Sequence, residues 1–222
     1  MNGGVILGAY DQDEIIGFLY SFPGFDGERT YLCSHMLGIM ADYRKDGLGK
    51  KMKLKQAEIA KQKGFSRINW TFDPLESLNA YLNLHKLCAV GARYKENHYG
   101  YMNDDLNQGL PTDRIQIEWG LDKDRLDKTV PLEKEKILLD GDKNQPILMD
   151  RFSTELTSSE QWFVAIPVNF QKMKVEDFEM AKAWRYKTRK VFQALFSKGY
   201  VATDLIRHHE DGTCYYYFSK QD

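Results

Sequence analysis

Residues 37–50 read Leu-Gly-Ile-Met-Ala-Asp-Tyr-Arg-Lys-Asp-Gly-Leu-Gly-Lys and hold the strongest structural signal in the chain. They join a largely apolar run, residues 30–40, to residues 50–63, which contain no Gly or Pro. This order predicts a strand buried on both faces, a glycine-rich turn, and a helix that stops at Gly64. Such a turn aims unpaired backbone N–H groups and the positive end of the helix dipole at one point, where a phosphate group is stabilised.

Two well-known phosphate-binding patterns do not fit this turn. A P-loop requires a glycine five residues before Gly49, where Arg44 stands, and Ser or Thr after Lys50, where Lys51 stands. A dinucleotide fingerprint requires a third glycine at the position of Met52. Both patterns are therefore excluded by residue identity.

The pattern that remains is [QR]-x-x-G-x-[GA], matched by Arg44, Gly47 and Gly49 after an apolar strand. It resembles the acyl-CoA signature of the GNAT N-acyltransferase superfamily, and the likeness covers about residues 4–120. Residues 79–87 and the charge-rich extension after residue 120 are also similar to a branch of GNAT proteins found alongside N-acylamino-acid racemases. The resemblance implies an α/β (α+β) fold. Its mixed, mostly antiparallel sheet would have flanking helices, a splayed central strand pair and a C-terminal α/β extension.

The other elements are predicted from apolar periodicity and turn residues. In chain order they are a β-hairpin at residues 4–10 and 14–20, breaks at Pro23-Gly24 and Asp26-Gly27, a strand at 65–72, a helix from Ser77 to about Val90, a loop from Arg93 to Leu110, and a strand at 115–119. After a charged stretch follow apolar runs at 137–139 and 146–149, a strand at 162–168, a helix at about 175–198, and a hairpin at 200–206 and 214–218. We therefore expect a GNAT-like domain over 1–120, a linker over 121–136, and a C-terminal α/β region over 137–222.

The resemblance also implies which residues hold the cofactor, acetyl-CoA or another acyl-CoA as co-substrate. The pyrophosphate would be bound by backbone N–H groups of the turn and by nearby basic side chains, and the pantetheine arm would pair with the strand before it. The implied cofactor-binding residues are Leu37, Gly38, Ile39, Arg44, Lys45, Gly47, Leu48, Gly49, Lys50 and Asn79. The thioester would lie between this strand and the one that ends at Asp73. Lys50, Lys51, Lys53 and Lys55 would meet the 3′-phosphate of CoA or form a solvated face.

Amine attack on a thioester requires a base for the acceptor ammonium and an acid for the departing thiolate. His35 is the first candidate base, and the alternative is a structural histidine bound to a backbone carbonyl. Asp73 is a second candidate, and Asp before Pro is also ordinary turn chemistry. Leu84 stands where many GNAT enzymes carry the tyrosine acid. Tyr81 or His85 would replace it, unless both serve helix packing or an exposed polar face.

Composition narrows the function classes further. The 31 Lys and Arg nearly balance the 32 Asp and Glu, which gives no electrostatic reason to expect nucleic acid as the partner. Three widely spaced cysteines argue against a disulfide framework, a zinc cluster and covalent catalysis, and favour a cytoplasmic location. No apolar run approaches the length of a membrane span. His208 and His209, adjacent in a predicted turn, indicate a polar hairpin tip rather than a metal site.

Two functions are compatible with these patterns. The first is a cytoplasmic N-acyltransferase that transfers an acetyl or succinyl group from CoA to a small amine such as an amino acid, without metal. The second is a GNAT-like module that binds acyl-CoA as a sensor or scaffold without chemistry. GNAT proteins usually begin with a strand and two helices, whereas this chain starts almost at the hairpin. Either the coding start is internal or the fold is trimmed. If those helices are absent, we expect an exposed sheet edge that a homodimer or the C-terminal helix at 175–198 would cover.

Overall fold

The structure is a computed structural model that describes residues 3–44, 47–100, 109–122, 130–208 and 212–220, of which His208 is described by its backbone. The chain divides into two compact units, Met1–Trp70 with Glu118–Arg125 and Thr71–Ile117 with Leu126–Asp222. The predicted domain limits at residues 120 and 136 stay a prediction.

The first unit contains the hairpin, the long strand and the glycine-initiated helix that the sequence predicts. Its elements are β1 (Val5–Asp11), β2 (Glu14–Phe25), β3 (Thr30–Ile39), a 3-10 turn (Ala41–Tyr43), α1 (Leu48–Gln62) and β4 (Arg67–Phe72), of which β4 runs on into the second unit. The strand order is β1-β2-β3-β4. Pairing is antiparallel except between β3 and β4, which are parallel.

Two predictions for the first unit are wrong. Pro23-Gly24 does not break the chain, because β2 continues to Phe25 and Pro23 lies opposite Leu32 of β3. Pro23 is beyond the last β1 partner of β2, so β2 is an edge there and tolerates a residue without an N–H. The strand β3 is not buried on both faces either. Ser34 is buried, whereas His35 is exposed.

The second unit contains α2 (Ser77–Ala80) with a π-helical continuation (Tyr81–Lys86), β5 (Val90–Lys95), β6 (Arg114–Gly120, crossing into the first unit at Glu118), a 3-10 turn (Lys134–Lys136), β7 (Ile137–Asp142), β8 (Gln145–Leu148), α3 (Arg151–Thr154), β9 (Gln161–Pro167), α4 (Phe170–Glu176), α5 (Phe178–Ser197), β10 (Tyr200–His208) and β11 (Thr213–Lys220). The strand order is β6-β5-β10-β11-β9-β7-β8. The pair β7 and β9 is parallel, whereas β9, β11, β10 and β5 pair antiparallel.

The core of the second unit lies between α5 and the neighbouring strands. Trp184, Phe192 and Leu195 on α5 are each at most 1% exposed. The ring of Phe192 lies 5.0 Å from the rings of both Tyr216 and Phe218 on β11, measured between centroids. Helical spacing of large apolar residues on α5 therefore produces the packing that the sequence predicts.

Two helix predictions in the second unit are wrong. The helix expected at 77–90 ends at Lys86, because Cys88 adopts a left-handed backbone conformation (φ 50°) that a helix cannot contain. Residues 90–95, expected as helix end and loop, instead form β5. The helix expected at 175–198 is two helices. Asp177 ends α4 and caps α5, and its carboxylate accepts a hydrogen bond from the Met180 N–H at 2.9 Å.

The predicted fold class is confirmed: mixed α/β, with a mostly antiparallel sheet and helices. Within the ranges that the structure describes, no helix combines the length and apolarity needed to cross a bilayer. In the same ranges, no cluster of three or more His, Cys, Asp and Glu side chains is arranged to hold a metal ion.

Candidate functional site

The start of α1 is the feature that the sequence singles out, and backbone N–H groups of its first turn have no acceptor within the helix. Gly47 precedes the helix in a left-handed conformation (φ 69°) and, as the N-cap residue, provides no side-chain hydrogen bond to the first turn. The first helical bond runs from the Lys51 N–H to the Gly47 carbonyl at 3.1 Å. The N–H groups of Leu48, Gly49 and Lys50 therefore have no intrahelical acceptor, the arrangement that binds a phosphate. Lys45 and Asp46 lie outside the described residues.

Arg44 ties this turn to the end of β3. The Met40 N–H donates to Ile16 of β2 at 2.9 Å, so the Ile39 carbonyl, which belongs to the same trans peptide, points away from β2. The Arg44 Nε donates to that carbonyl at 3.0 Å. Arg44 thus fixes the turn beside β3 and occupies one backbone acceptor that the resemblance assigns to the pantetheine arm.

The strands β3 and β4 separate soon after they meet. Their parallel pairing consists of Leu32 with Ile68 and Cys33 with Asn69. Further along β3, Leu37, Gly38 and Ile39 pair with β2 on one side. Among the described residues this stretch has no pairing with β4, so a gap between the two strands begins at Ser34 and Trp70, both in the first unit. The resemblance implies such a splay.

His35 lies at a β-bulge next to this edge. In the β2–β3 register Tyr20 pairs with Met36 and Ser21 with Ser34, so His35 is the extra residue. Its ring lies 5.6 Å from the Phe22 ring and 6.2 Å from the Tyr20 ring, on the exposed face of the sheet. Bulges next to active sites re-aim a side chain in this way. The geometry leaves the imidazole reachable from solvent.

Lys53 is the residue whose position the sequence interpretation missed. It is 3% exposed, and it therefore belongs neither to a solvated face nor to a 3′-phosphate contact. Its Nζ donates to the Ser34 hydroxyl at 2.7 Å and lies 3.7 Å from the Trp70 ring centroid. Burial lowers the pKa of Lys53 from the usual 10.5 to about 7, against the smaller opposing effect of Cys33. Helical spacing could have predicted this burial, because Lys53 lies on the same face of α1 as Gln56, Ala57 and Ala60, which are all buried.

Asp73, a candidate base, is an ion-pair partner in the second unit. Its Oδ2 accepts from Arg185 at 2.5 Å and lies 3.6 Å from an Arg114 nitrogen, and its Oδ1 accepts from the Leu75 N–H at 2.9 Å. Burial alone would lower the pKa of Arg185, but the charge and hydrogen bond of Asp73, together with Tyr94 and Asp113, outweigh burial and raise that pKa. These contacts make Asp73 an ion-pair partner and a turn former.

Tyr81 lies in a stack of side chains in the second unit. Its ring lies 4.5 Å from the His85 ring at 13° and 3.7 Å from the Arg207 guanidinium. The His85 Nδ1 lies 2.9 Å from the Asp204 carboxylate, which accepts a hydrogen bond from the ring. Leu84 is 1% exposed and carries no group that could act as an acid.

The structure groups the predicted site residues by unit. His35, Leu37, Gly38, Ile39, Arg44, Gly47, Leu48, Gly49 and Lys50 belong to the first unit, and Asp73, Asn79, Tyr81 and His85 belong to the second. Asn79 is exposed on α2. The other lysines at the start of α1 are at least partly exposed, and Lys55 pairs with Glu58 at 2.8 Å. His209 lies outside the described residues.

Comparison with known families gives a match to the N-terminal part of the chain. Residues 1–88 match the model described as the acetyltransferase (GNAT) family. This similarity extends over less than half of the 222 residues. The match ends two residues after the π-helical stretch and includes the strand, turn and helix described above. A comparison with curated proteins gives no match.

Several solved structures are similar to part of this chain at low sequence identity. They include a GNAT family acetyltransferase from Elizabethkingia anophelis with acetyl-CoA bound (19% identity, 53% of this chain and 76% of that chain, TM-score 0.46). A second is yncA from Salmonella typhimurium with its cofactor acetyl-CoA. The sequence identity is 16%, the match covers 56% of this chain and 69% of that chain, and the TM-score is 0.45. A third is the IAA acetyltransferase from Bacillus cereus. The sequence identity is 15%, the match covers 53% of this chain and 77% of that chain, and the TM-score is 0.42.

Proposed function

We propose that this chain is an acyl-CoA-dependent N-acyltransferase that transfers an acetyl or succinyl group to a small amine, such as an amino acid. The GNAT match over residues 1–88 supports the acyl-CoA donor. The observation that carries the proposal is the uncapped start of α1 at Gly47, next to the edge of β3 that β4 leaves unpaired. The cytoplasmic location, the homodimer and the link to the racemase-associated branch remain predictions.

The proposed binding mode uses the first unit. The N–H groups of Leu48, Gly49 and Lys50 bind the diphosphate, and the free edge of β3 pairs with the pantetheine amides. The thioester then lies in the gap between β3 and β4. The acceptor amine attacks the thioester carbonyl directly, and no covalent enzyme intermediate forms.

Isothermal titration with CoA and a thiol-release assay test this function together. We expect CoA to bind, and we expect free thiol to appear when acetyl-CoA or succinyl-CoA is mixed with pools of amino acids. Binding without thiol release from any donor would favour the second candidate, a non-catalytic acyl-CoA module. The buried Leu84 in place of a tyrosine acid is the observation that supports this alternative. Failure to bind CoA would contradict both.

His35 is the proposed base, and a pH profile tests it. We expect His35→Gln to lower kcat/KM about 10²-fold and to abolish the acidic limb of the profile, because glutamine cannot take the proton of the acceptor ammonium. The matched control is Met36→Gln, at the neighbouring exposed position of β3. An acidic limb that survives in His35→Gln would assign the histidine a packing role against Phe22.

A further inference from the structure

The thiolate of CoA leaves the acyl group faster when an acid protonates it. Leu84 stands at the position where the resemblance implies a tyrosine acid. The side chain of Leu84 is buried and cannot donate a proton. An ordinary thiol has a pKa of about 8.5, so a suitable acid is one that titrates near or below that value and lies at the gap between β3 and β4.

Lys53 lies where the two strands begin to separate. The last pair in the register is Cys33 with Asn69, and the next step would place Ser34 opposite Trp70. The Lys53 Nζ contacts both of these residues, the Ser34 hydroxyl at 2.7 Å and the Trp70 ring at 3.7 Å. The Lys53 ammonium group therefore contacts Ser34 and Trp70, the first residues beyond the last pair between β3 and β4.

Few groups around Lys53 compensate its charge. From β3 it faces the Cys33 thiol and the Ser34 hydroxyl, and from β4 it faces the Trp70 indole. Gln56, one turn along α1, is buried and uncharged. In the described part of the chain, burial and Cys33 are the influences that shift the pKa of Lys53, and burial lowers it to about 7. Near neutral pH the amine therefore exchanges its proton readily.

We propose that Lys53 is the general acid of acyl transfer and donates a proton from Nζ to the sulfur atom of the departing CoA. The proposal rests on the proposed function, which places the thioester in the gap between β3 and β4. The amine nitrogen bonds to the carbonyl carbon, the C–S bond breaks with its electron pair on sulfur, and the Nζ proton completes the free thiol. The acceptor ammonium loses two protons in all. One replaces the proton of Lys53, and the other passes to solvent.

The contacts of Lys53 suit this role. The Ser34 hydroxyl accepts one ammonium hydrogen, and the face of the Trp70 ring stabilises the positive charge. An ammonium group carries three hydrogens, so these two contacts leave one to point at a ligand atom. His35 lies on the opposite face of β3. The proposed base and the proposed acid therefore flank the same strand.

Three variants test the proposal kinetically. We expect Lys53→Met to lower kcat about 10²-fold with the KM for acyl-CoA changed less than twofold, because the acid acts on the bond that breaks. Wild-type kcat should fall above pH 7 as Lys53 loses its proton, and this alkaline limb should be absent from Lys53→Met. Lys53→Arg keeps the charge but cannot release a proton, so it should also lose activity. Lys61→Met, at an exposed position near the end of α1, is the matched control.

Two measurements without substrate follow the same group. An NMR titration of the lysine side chains should give Lys53 a midpoint near pH 7, and that resonance should be missing from Lys53→Arg. Between about pH 7 and 10.5 the unfolded chain holds the Lys53 proton and the folded chain does not. The free energy of unfolding should therefore rise with pH across this window in the wild type, relative to Lys53→Met. Lys53→Met should fold, because it replaces a buried ammonium by an apolar side chain.

The outcomes separate this proposal from the proposed function. Wild-type protein that neither binds CoA nor releases thiol would overturn both. Active wild type with an unaltered kcat or alkaline limb in Lys53→Met would overturn the assignment of Lys53 alone. So would full activity of Lys53→Arg, which would indicate a purely electrostatic role, or an NMR midpoint near 10.5. A loss confined to the KM for acyl-CoA would likewise contradict an acid at the breaking bond.

Discussion

Gly47→Val is expected to abolish measurable CoA binding, with an affinity loss of at least 10²-fold. Valine at this position disfavours the left-handed conformation (φ 69°) that lets the chain enter α1. Relaxation of that strain rotates the N–H groups of Leu48 and Gly49, and the branched side chain stands where the diphosphate must approach. Isothermal titration with CoA measures the effect.

Gly64→Val is the matched control for Gly47→Val. Gly64 lies past the other end of α1, also has a positive φ (84°), and has no heavy atom within 4 Å of an added Cβ. Both variants should lose a similar amount of stability, on the order of 1–2 kcal/mol, because both force a β-branched residue into a left-handed conformation. Equal CoA affinity of the two variants would contradict a diphosphate site at Gly47.

Asp73→Asn is expected to lower the free energy of unfolding by about 3–5 kcal/mol, because it removes the charge that compensates a buried guanidinium. The Arg185 side chain is 3% exposed, and its Nε and Nη1 have no hydrogen-bond partner among the described residues. Arg114, at 3.6 Å from the same carboxylate oxygen, would lose this ion pair as well. Urea unfolding monitored by circular dichroism measures the loss.

Glu96→Gln provides the control for Asp73→Asn. Glu96 pairs with Arg189 at 2.6 Å, but its side chain is 49% exposed, so its loss should cost less than about 1 kcal/mol. Stability should return in part in the double variant Asp73→Asn with Arg185→Met, which removes the unpaired charge. If Asp73→Asn kept wild-type stability but lost the acidic limb of the pH profile, Asp73 would be the base.

The first unit was predictable from the sequence because its signals are local. The spacing of Arg44, Gly47 and Gly49 after an apolar strand predicts the strand, the turn and the helix, and the structure contains all three. Glycine and charge patterns do not report tertiary contacts, however. The hydrogen bond from Arg44 to Ile39 depends on how the turn folds back on β3.

The predictions that failed depended on tertiary packing or on single unusual backbone conformations. The left-handed Cys88 ends the π-helical stretch, and no propensity scale assigns that conformation to cysteine. Lys53 was placed with the exposed lysines because charge usually indicates solvent, although its helical spacing placed it on the buried stripe. The catalytic role of Asp73 stays a prediction, and its ion pair with Arg185, 112 residues away in the chain, has no local signal in the sequence.

A crystal structure of the protein with CoA tests the central claim most directly. We predict density for the diphosphate within hydrogen-bond distance of the backbone nitrogens of Leu48, Gly49 and Lys50, with the pantetheine arm along the unpaired edge of β3. Density for CoA at another place on the chain, with the start of α1 closed by protein atoms, would contradict it.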